Sequence, residues 1–143
     1  MIFHQLLARM VECDASDMFV TAKLPVSAKI NGELTPIDPH VLSPEESLGL
    51  VHDAMTDKNR RLFEEEKECN FAISIDGIGR FRISAFWQRD MAGMVVRRIV
   101  TVIPEADDLG LPSVLKDVVM SKRGLVLFVG GTGTGKSTSM AAL

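Results

Sequence analysis

Residues 69–103, CNFAISIDGIGRFRISAFWQRDMAGMVVRRIVTVI, decide the fold of the N-terminal part of the chain. Apolar and polar residues alternate over 69–75 and 80–85, and the turn-forming pair Asp76-Gly77 lies between these runs. After a break at 88–93 the strand pattern resumes to the end of the run. The sequence therefore predicts an antiparallel meander of strands.

Arginines give this meander a net positive charge. Side chains alternate across a strand, so Arg80 and Arg82 share one face, whereas the adjacent Arg97 and Arg98 point to opposite faces. A local positive field of this kind favours a phosphate-bearing ligand. Solvated edge residues or surface ion pairs are the alternative interpretation.

The residues before this run combine helical and strand-like patterns. Apolar side chains at spacings of three and four predict an amphipathic helix over 2–11. A strand-like segment follows at 18–21, and Asn31-Gly32 separates two further ones at 25–30 and 33–37. Because Asn and Gly readily take positive φ angles, this pair predicts a type I′ hairpin turn.

Two helices are predicted after the hairpin. Ser43, Pro44 and Glu46 have the spacing of a capping box with proline in the first turn, so a helix begins at Pro44. A shorter helix follows over 58–66. The side chains expected to face the core are Leu48, Val51, Ala54 and Met55 in the first helix and Leu62 and Phe63 in the second.

These elements predict an α+β domain over residues 1–103, in which helices flank an antiparallel sheet. Residues 104–112 (PEADDLGLP) combine two prolines, one glycine and three acids, which is typical of a linker. A second domain begins over 113–143 with a helix capped by Ser113. The apolar run 125–129 has the composition of a central parallel strand, which indicates the start of an α/β fold.

Composition and charge exclude several classes of protein. The chain has 143 residues, 46% apolar and 24% charged, which is ordinary for a soluble domain. No apolar stretch approaches the ~20 residues of a membrane-spanning helix, and Glu12 interrupts any signal-peptide core. Cys13 and Cys69 favour reduced thiols in the cytoplasm and no zinc site. The net charge of −3 argues against nucleic-acid binding.

Residues 130–137 (GGTGTGKS) fit the phosphate-loop pattern G-x-x-x-x-G-K-[ST], directly after an apolar strand. Glycines let successive backbone N–H groups surround a β-phosphate, and Lys136 reaches the β- and γ-oxygens of ATP. The Ser137 hydroxyl suits Mg²⁺, and Thr138 is expected near the α-phosphate. A glycine-rich turn that binds nothing is the alternative. The predicted loop residues are Gly130, Gly131, Thr132, Gly133, Thr134, Gly135, Lys136, Ser137 and Thr138.

Hydrolysis by a phosphate-loop enzyme also needs an acidic residue on a neighbouring strand, which helps to hold the metal. Only six residues follow Ser137, so we expect the sequence to be a piece of a longer protein. No catalytic residue is assigned within it, and this piece alone is expected to turn over ATP weakly or not at all.

Several segments resemble the type IV pilus retraction ATPases of the PilT/PilU group, within the secretion-ATPase superfamily, and the PilU side more closely. They are Ala15-Ser16-Asp17, Ile30-Asn31-Gly32-Glu33, 79–86 (GRFRISAF), 123–127 (RGLVL) and the phosphate loop. Residues 42–68 agree only in helical character. Gly131 and Thr134 depart from the proline and serine common in the family's loop, and Arg89 lies in a turn that also departs, so it receives no role.

The resemblance implies a PAS-like N-terminal domain over 1–103 joined by the linker to a RecA-like ATPase domain. It implies a hexameric ring that uses ATP and Mg²⁺ for pilus retraction and twitching motility, with Arg82 and Arg97 closing over the nucleotide phosphates. It further implies a cytoplasmic protein, peripheral at the inner membrane. The implied partners are further copies of the chain, the inner-membrane platform protein of the pilus and a paralogous retraction ATPase.

Two other interpretations stay open. In the first, the chain is a non-enzymatic oligomerisation module whose phosphate loop binds nothing. In the second, it belongs to an unrelated phosphate-loop enzyme such as a kinase. The arginine-bearing meander and the position of the linker favour the motor over the kinase.

Overall fold

The computed structural model describes residues 2–100, 102–131 and 134–143. The chain divides into two compact units, Met1–Ile99 and Val100–Leu143. The domain division around a linker at 104–112 stays a prediction.

In the described part of the first unit, one helix and three strands are followed by two helices and three strands, much as the sequence patterns predict. The helices are α1 (Ile2–Glu12), α2 (Pro44–Asp53) and α3 (Asp57–Glu66), and the strands are β1 (Asp17–Thr21), β2 (Pro25–Ile30), β3 (Glu33–Val41), β4 (Glu68–Ile75), β5 (Gly79–Gln88) and β6 (Met91–Ile99).

The strands form one six-stranded antiparallel sheet with the order β3-β2-β1-β6-β5-β4. The predicted meander is confirmed as β4-β5-β6, and β1 pairs with β6 to join it to the β2-β3 hairpin. In that hairpin Asn31 has φ 50° and Gly32 φ 87°, which confirms the predicted turn. Strand β3 continues to Val41, beyond the predicted end.

The predicted break at 88–93 is wrong. Gln88 pairs directly with Met91, so β5 and β6 are joined by a two-residue turn. Arg89 (φ 50°) and Asp90 (φ 59°) both take the left-handed conformation that such a turn requires. The last strand ends at Ile99, so its predicted continuation is also wrong at Val100, Val102 and Ile103, and Thr101 lies outside the described residues.

The hydrophobic core lies between one face of the sheet and the three helices. Phe3, Leu7 and Met10 of α1 and Phe63 of α3 are almost completely buried in it. The prediction that Leu62 faces the core is wrong, because this residue is 40% exposed. The adjacent positions 62 and 63 are separated by about 100° around a helix, so Phe63 alone faces inward.

Helix α2 begins as predicted. Ser43 Oγ accepts a hydrogen bond from Glu46 N (3.1 Å), and Glu46 Oε2 accepts one from Ser43 N (2.7 Å). Val51, Ala54 and Met55 are buried as expected, whereas Leu48 is only partly buried. The core face also includes Leu50 and Ser47.

The second unit contains α4 (Val114–Val119) and α5 (Lys136–Ala142) within the described residues. Ser113 precedes α4 but its side chain makes no capping hydrogen bond, because the residue is already in a helical conformation. The predicted strand at 125–129 is not formed, and Leu125, Leu127 and Val129 are between 73% and 90% exposed. A strand forms only beside a partner, and no described residue pairs with this run.

The two cysteine thiols are free and differ in exposure. Cys13 is exposed just after α1, whereas Cys69 is buried in β4. Burial, together with the nearby Glu66 carboxylate, raises the pKa of the Cys69 thiol. The helices of the described ranges are each too short or too polar to span a lipid bilayer.

Candidate phosphate-binding groups

The face of the sheet opposite the helices carries a row of charged side chains, here called the arginine row. Arg82 of β5 lies directly opposite Arg97 of β6, which lies opposite Asp17 of β1, which lies opposite Lys29 of β2. Directly opposed side chains on one face have Cβ atoms about 4.5–5.5 Å apart. The fold therefore collects three cations and one acid from four strands into a single line.

Arg97 is anchored within this row. Its Nε donates a hydrogen bond to Asp17 Oδ1 across 2.8 Å. The Arg97 side chain is 70% exposed, whereas that of Asp17 is only 13% exposed. Arg82 is exposed, and no ion pair of Arg82 occurs within the described ranges.

The pKa of Asp17 is lowered from its ordinary value. Burial acts to raise it, but hydrogen bonds from Arg97 and from Ser16 Oγ (2.9 Å) outweigh burial, and the positive charges of Arg97 and Lys29 add to their effect. Asp17 is consequently ionised at neutral pH and balances part of the repulsion between the two opposed arginines.

The other arginines of β5 and β6, Arg80 and Arg98, lie as the alternation rule predicts. Arg98 points away from the arginine row, and its Nη1 donates to Asp14 Oδ1 at 2.8 Å. Arg80 is exposed two residues before Arg82 and therefore on the same face of β5. The prediction that only one member of the Arg97-Arg98 pair joins the patch is confirmed.

The phosphate loop in the second unit is described except for Thr132 and Gly133, which lie outside the described residues. Gly135 has φ 86° and immediately precedes α5, whose first residue is Lys136. Lys136 Nζ and Thr134 Oγ1 both donate hydrogen bonds to the Gly131 carbonyl oxygen, the latter at 2.8 Å. The loop is thus closed on itself by the side chain that is predicted to reach a phosphate.

Two features of the loop agree with the residue types in it. A Cβ at Gly130 would lie 2.8 Å from Thr134 Oγ1, so a larger residue there would displace the Thr134 hydroxyl. Gly135 occupies a left-handed conformation that favours glycine. Ser137 and Thr138 follow in α5 with exposed side chains.

Known proteins are similar to this chain in both sequence and fold. Type IV pilus ATPase PilU of Pseudomonas aeruginosa is 54% identical over 143 residues, which is all of this chain and 37% of PilU. The PilT retraction ATPase of the same organism is 39% identical over 139 residues, 97% of this chain and 40% of PilT. The chain is a homologue of the pilus ATPases PilU and PilT. No family model matches it.

A crystal structure of the pilus retraction motor PilT with bound ADP matches the fold. The TM-score is 0.81 at 32% identity, over 96% of this chain and 40% of the PilT chain. The resemblance stated from the sequence is therefore confirmed, and the six-stranded antiparallel sheet with flanking helices matches the N-terminal domain of PilT. This chain spans about two fifths of the length of the PilU and PilT chains.

Two residues of the arginine row, Asp17 and Lys29, were not predicted from the sequence, and Asp17 is the one that contacts Arg97. It belongs to Ala15-Ser16-Asp17, which contributed only to the resemblance. The strand was predicted over 18–21, so Asp17 lay just outside it, and aspartate is depleted in strands; in the structure Asp17 is the first residue of β1. Its partner lies 80 residues further along the chain, and sequence patterns do not reveal pairing over that separation.

No metal cluster is found in the described ranges, since no three His, Cys, Asp or Glu side chains converge there. The exposed hydroxyl of Ser137 is a hard oxygen donor in the second position of α5. A single protein oxygen suits Mg²⁺, which takes its other ligands from phosphate and water.

Proposed function

We propose that this chain is the ATP-binding N-terminal portion of a hexameric motor ATPase that drives type IV pilus retraction and twitching motility. The observation that carries the proposal is a complete phosphate-loop motif at 130–137 in a chain 54% identical to PilU. The PilT match, whose crystal structure holds ADP, supports nucleotide use.

The phosphate loop is the proposed binding site for the β- and γ-phosphates. Backbone N–H groups of Gly130 to Gly135 would surround the β-phosphate, as Gly135 in its left-handed conformation permits. Lys136 would exchange the Gly131 carbonyl for phosphate oxygens, a charge-assisted and therefore stronger interaction. Thr138 is proposed near the α-phosphate.

Magnesium is the proposed metal, held by the Ser137 hydroxyl and the nucleotide. When bound, it would neutralise charge that develops on the phosphates. Arg82 and Arg97 of the N-terminal domain are proposed to donate hydrogen bonds to the phosphates. Both are exposed on the face of the sheet opposite the helices, and a guanidinium has several N–H groups suited to phosphate oxygens.

The domain and partner assignments complete the proposal. Residues 1–103 act as a PAS-like domain, which the linker at 104–112 joins to the start of a RecA-like ATPase domain over 113–143. Six copies form a cytoplasmic ring at the inner membrane, where it contacts the pilus platform protein and a paralogous retraction ATPase.

The test is a titration of the full-length protein with a fluorescent ATP analogue, with and without Mg²⁺. We expect Mg²⁺-dependent binding that Lys136→Ala abolishes and that Lys122→Ala, a cation outside the motif, leaves unchanged. Binding that is insensitive to Lys136→Ala would contradict the nucleotide assignment. Complete absence of binding would favour the non-enzymatic interaction module.

A further inference from the structure

We propose that Asp17 is a positioning residue for Arg97: its carboxylate fixes the Nε edge of the guanidinium so that the Nη groups are presented to the phosphates of the bound nucleotide. This inference rests on the proposed function, because it assumes that Arg97 binds phosphate. It assigns Asp17 no contact with the nucleotide.

The geometry of the pair fits this role. A guanidinium has five N–H donors, and the hydrogen bond to Asp17 Oδ1 uses the one on Nε. The four N–H groups on Nη1 and Nη2 are left for a second partner, and their fork matches two phosphate oxygens. Because Asp17 binds the Nε group, it orients the guanidinium of Arg97 without using the N–H groups on Nη1 and Nη2.

Asp17 and Arg97 differ in burial, as expected if a mostly buried carboxylate holds an exposed guanidinium that contacts a ligand. The Asp17 side chain is 13% exposed and is further held by Ser16 Oγ, whereas the Arg97 side chain is 70% exposed. Solvent screens the exposed guanidinium, which limits what the pair contributes to folding stability. Two arginines directly opposite each other on neighbouring strands also repel, and Asp17 balances only part of that repulsion. A role in ligand binding accounts for both features.

The test measures the dissociation constant of the full-length protein for the fluorescent ATP analogue in Mg²⁺. Asp17→Ala is expected to weaken binding by about 3- to 10-fold, since a freed guanidinium must be ordered on binding. Asp17→Asn, which keeps an oxygen acceptor of the same shape, is expected to give an intermediate loss.

Two backgrounds separate positioning from a merely structural role. In Arg97→Ala the further change Asp17→Ala should have no added effect, whereas in Arg82→Ala it should keep its full effect. Asp14→Ala is the matched control. It removes an ion pair of the same 2.8 Å length from Arg98 on the other face, and it should leave the dissociation constant unchanged.

The outcomes distinguish this inference from the proposed function. If Lys136→Ala does not weaken binding, the nucleotide assignment fails and this inference fails with it. If Lys136→Ala and Arg97→Ala weaken binding but Asp17→Ala and Asp17→Asn do not, only the positioning role is overturned. Equal losses for Asp17→Ala with and without Arg97 would also overturn it. Should Asp17→Ala fail to fold, Asp17→Asn in the same backgrounds decides.

Discussion

The hydroxyl of Ser47 donates a hydrogen bond to the backbone carbonyl oxygen of Ala92 across 2.7 Å, in a part of the core where Ser47 is completely buried. The bond joins the first half of α2 to the start of β6, and the two residues lie 45 positions apart in the sequence. This hydrogen bond therefore connects the helical layer directly to the sheet.

We expect Ser47→Ala to lower the free energy of unfolding by about 1–3 kcal/mol, because the change leaves the Ala92 carbonyl oxygen without this buried donor. Urea denaturation of the chain measures the effect. Ser84→Ala is the control, since Ser84 Oγ donates to Asn70 Oδ1 at a similar 2.7 Å but in an exposed position. Equal losses for the two variants would show that burial is not the cause.

Two glycines give opposite expectations for the same substitution. A Cβ at Gly93 would lie 3.0 Å from the Val20 carbonyl oxygen and 3.2 Å from the Phe86 ring. Gly93→Ala should therefore destabilise the fold by about 1–3 kcal/mol through overpacking. The measurement is the midpoint of urea unfolding.

Gly49→Ala provides the counterpart. Gly49 lies inside α2, and nothing is within 4 Å of a Cβ placed there. Alanine should stabilise the helix by about 0.5–1 kcal/mol, because glycine loses more backbone entropy on folding. A loss of stability in both variants would refute the steric account.

Trp87, the one tryptophan of the chain, reports the docking of α3. Its ring stacks on the buried Phe63 with centroids 6.0 Å apart, and Lys67 Nζ lies 5.2 Å from its centre. Phe63→Ala should cost about 3–5 kcal/mol and shift Trp87 emission to longer wavelength before global unfolding. Leu62→Ala, next to it but partly exposed, should cost much less. Unchanged emission in Phe63→Ala would contradict this packing.

The Asp17-Arg97 pair predicts a pH dependence of stability. Because the folded pKa of Asp17 lies below the ordinary 3.8, its contribution is fully present above 3.8 and is lost as pH falls through the folded value. The difference in stability between the natural chain and Asp17→Asn should shrink as the pH is lowered below 3.8. Carboxyl NMR titration measures the Asp17 pKa directly, and a value above 3.8 would contradict the assignment.

Local sequence signals predicted much of the fold. Asn31-Gly32 and the Ser43-Glu46 capping box each determine backbone geometry through adjacent residues, so both turned out as expected. Arg89 and Asp90 form a turn of the same kind without glycine, because direct pairing of Gln88 with Met91 imposes it. That constraint comes from the strands and is not visible in the turn residues.

In the candidate site, too, local sequence signals predicted some features, whereas others depend on how the strands pair. The alternation of side chains along β6 was enough to separate Arg97 from Arg98. The position of β1 beside β6 brings Asp17 to Arg97, and this depends on sheet order rather than on any nearby residue. The run 125–129 is strand-like only in composition, because strand formation depends on partners that the described residues do not provide.

The unequal thiols make this chain convenient to label. A maleimide dye added to the folded protein should attach to Cys13 and spare Cys69, which is shielded and whose higher pKa keeps it in the unreactive protonated form. A single fluorophore would thereby be placed just beyond α1 without mutagenesis. Slow appearance of a second adduct would then report transient opening of the sheet around Cys69.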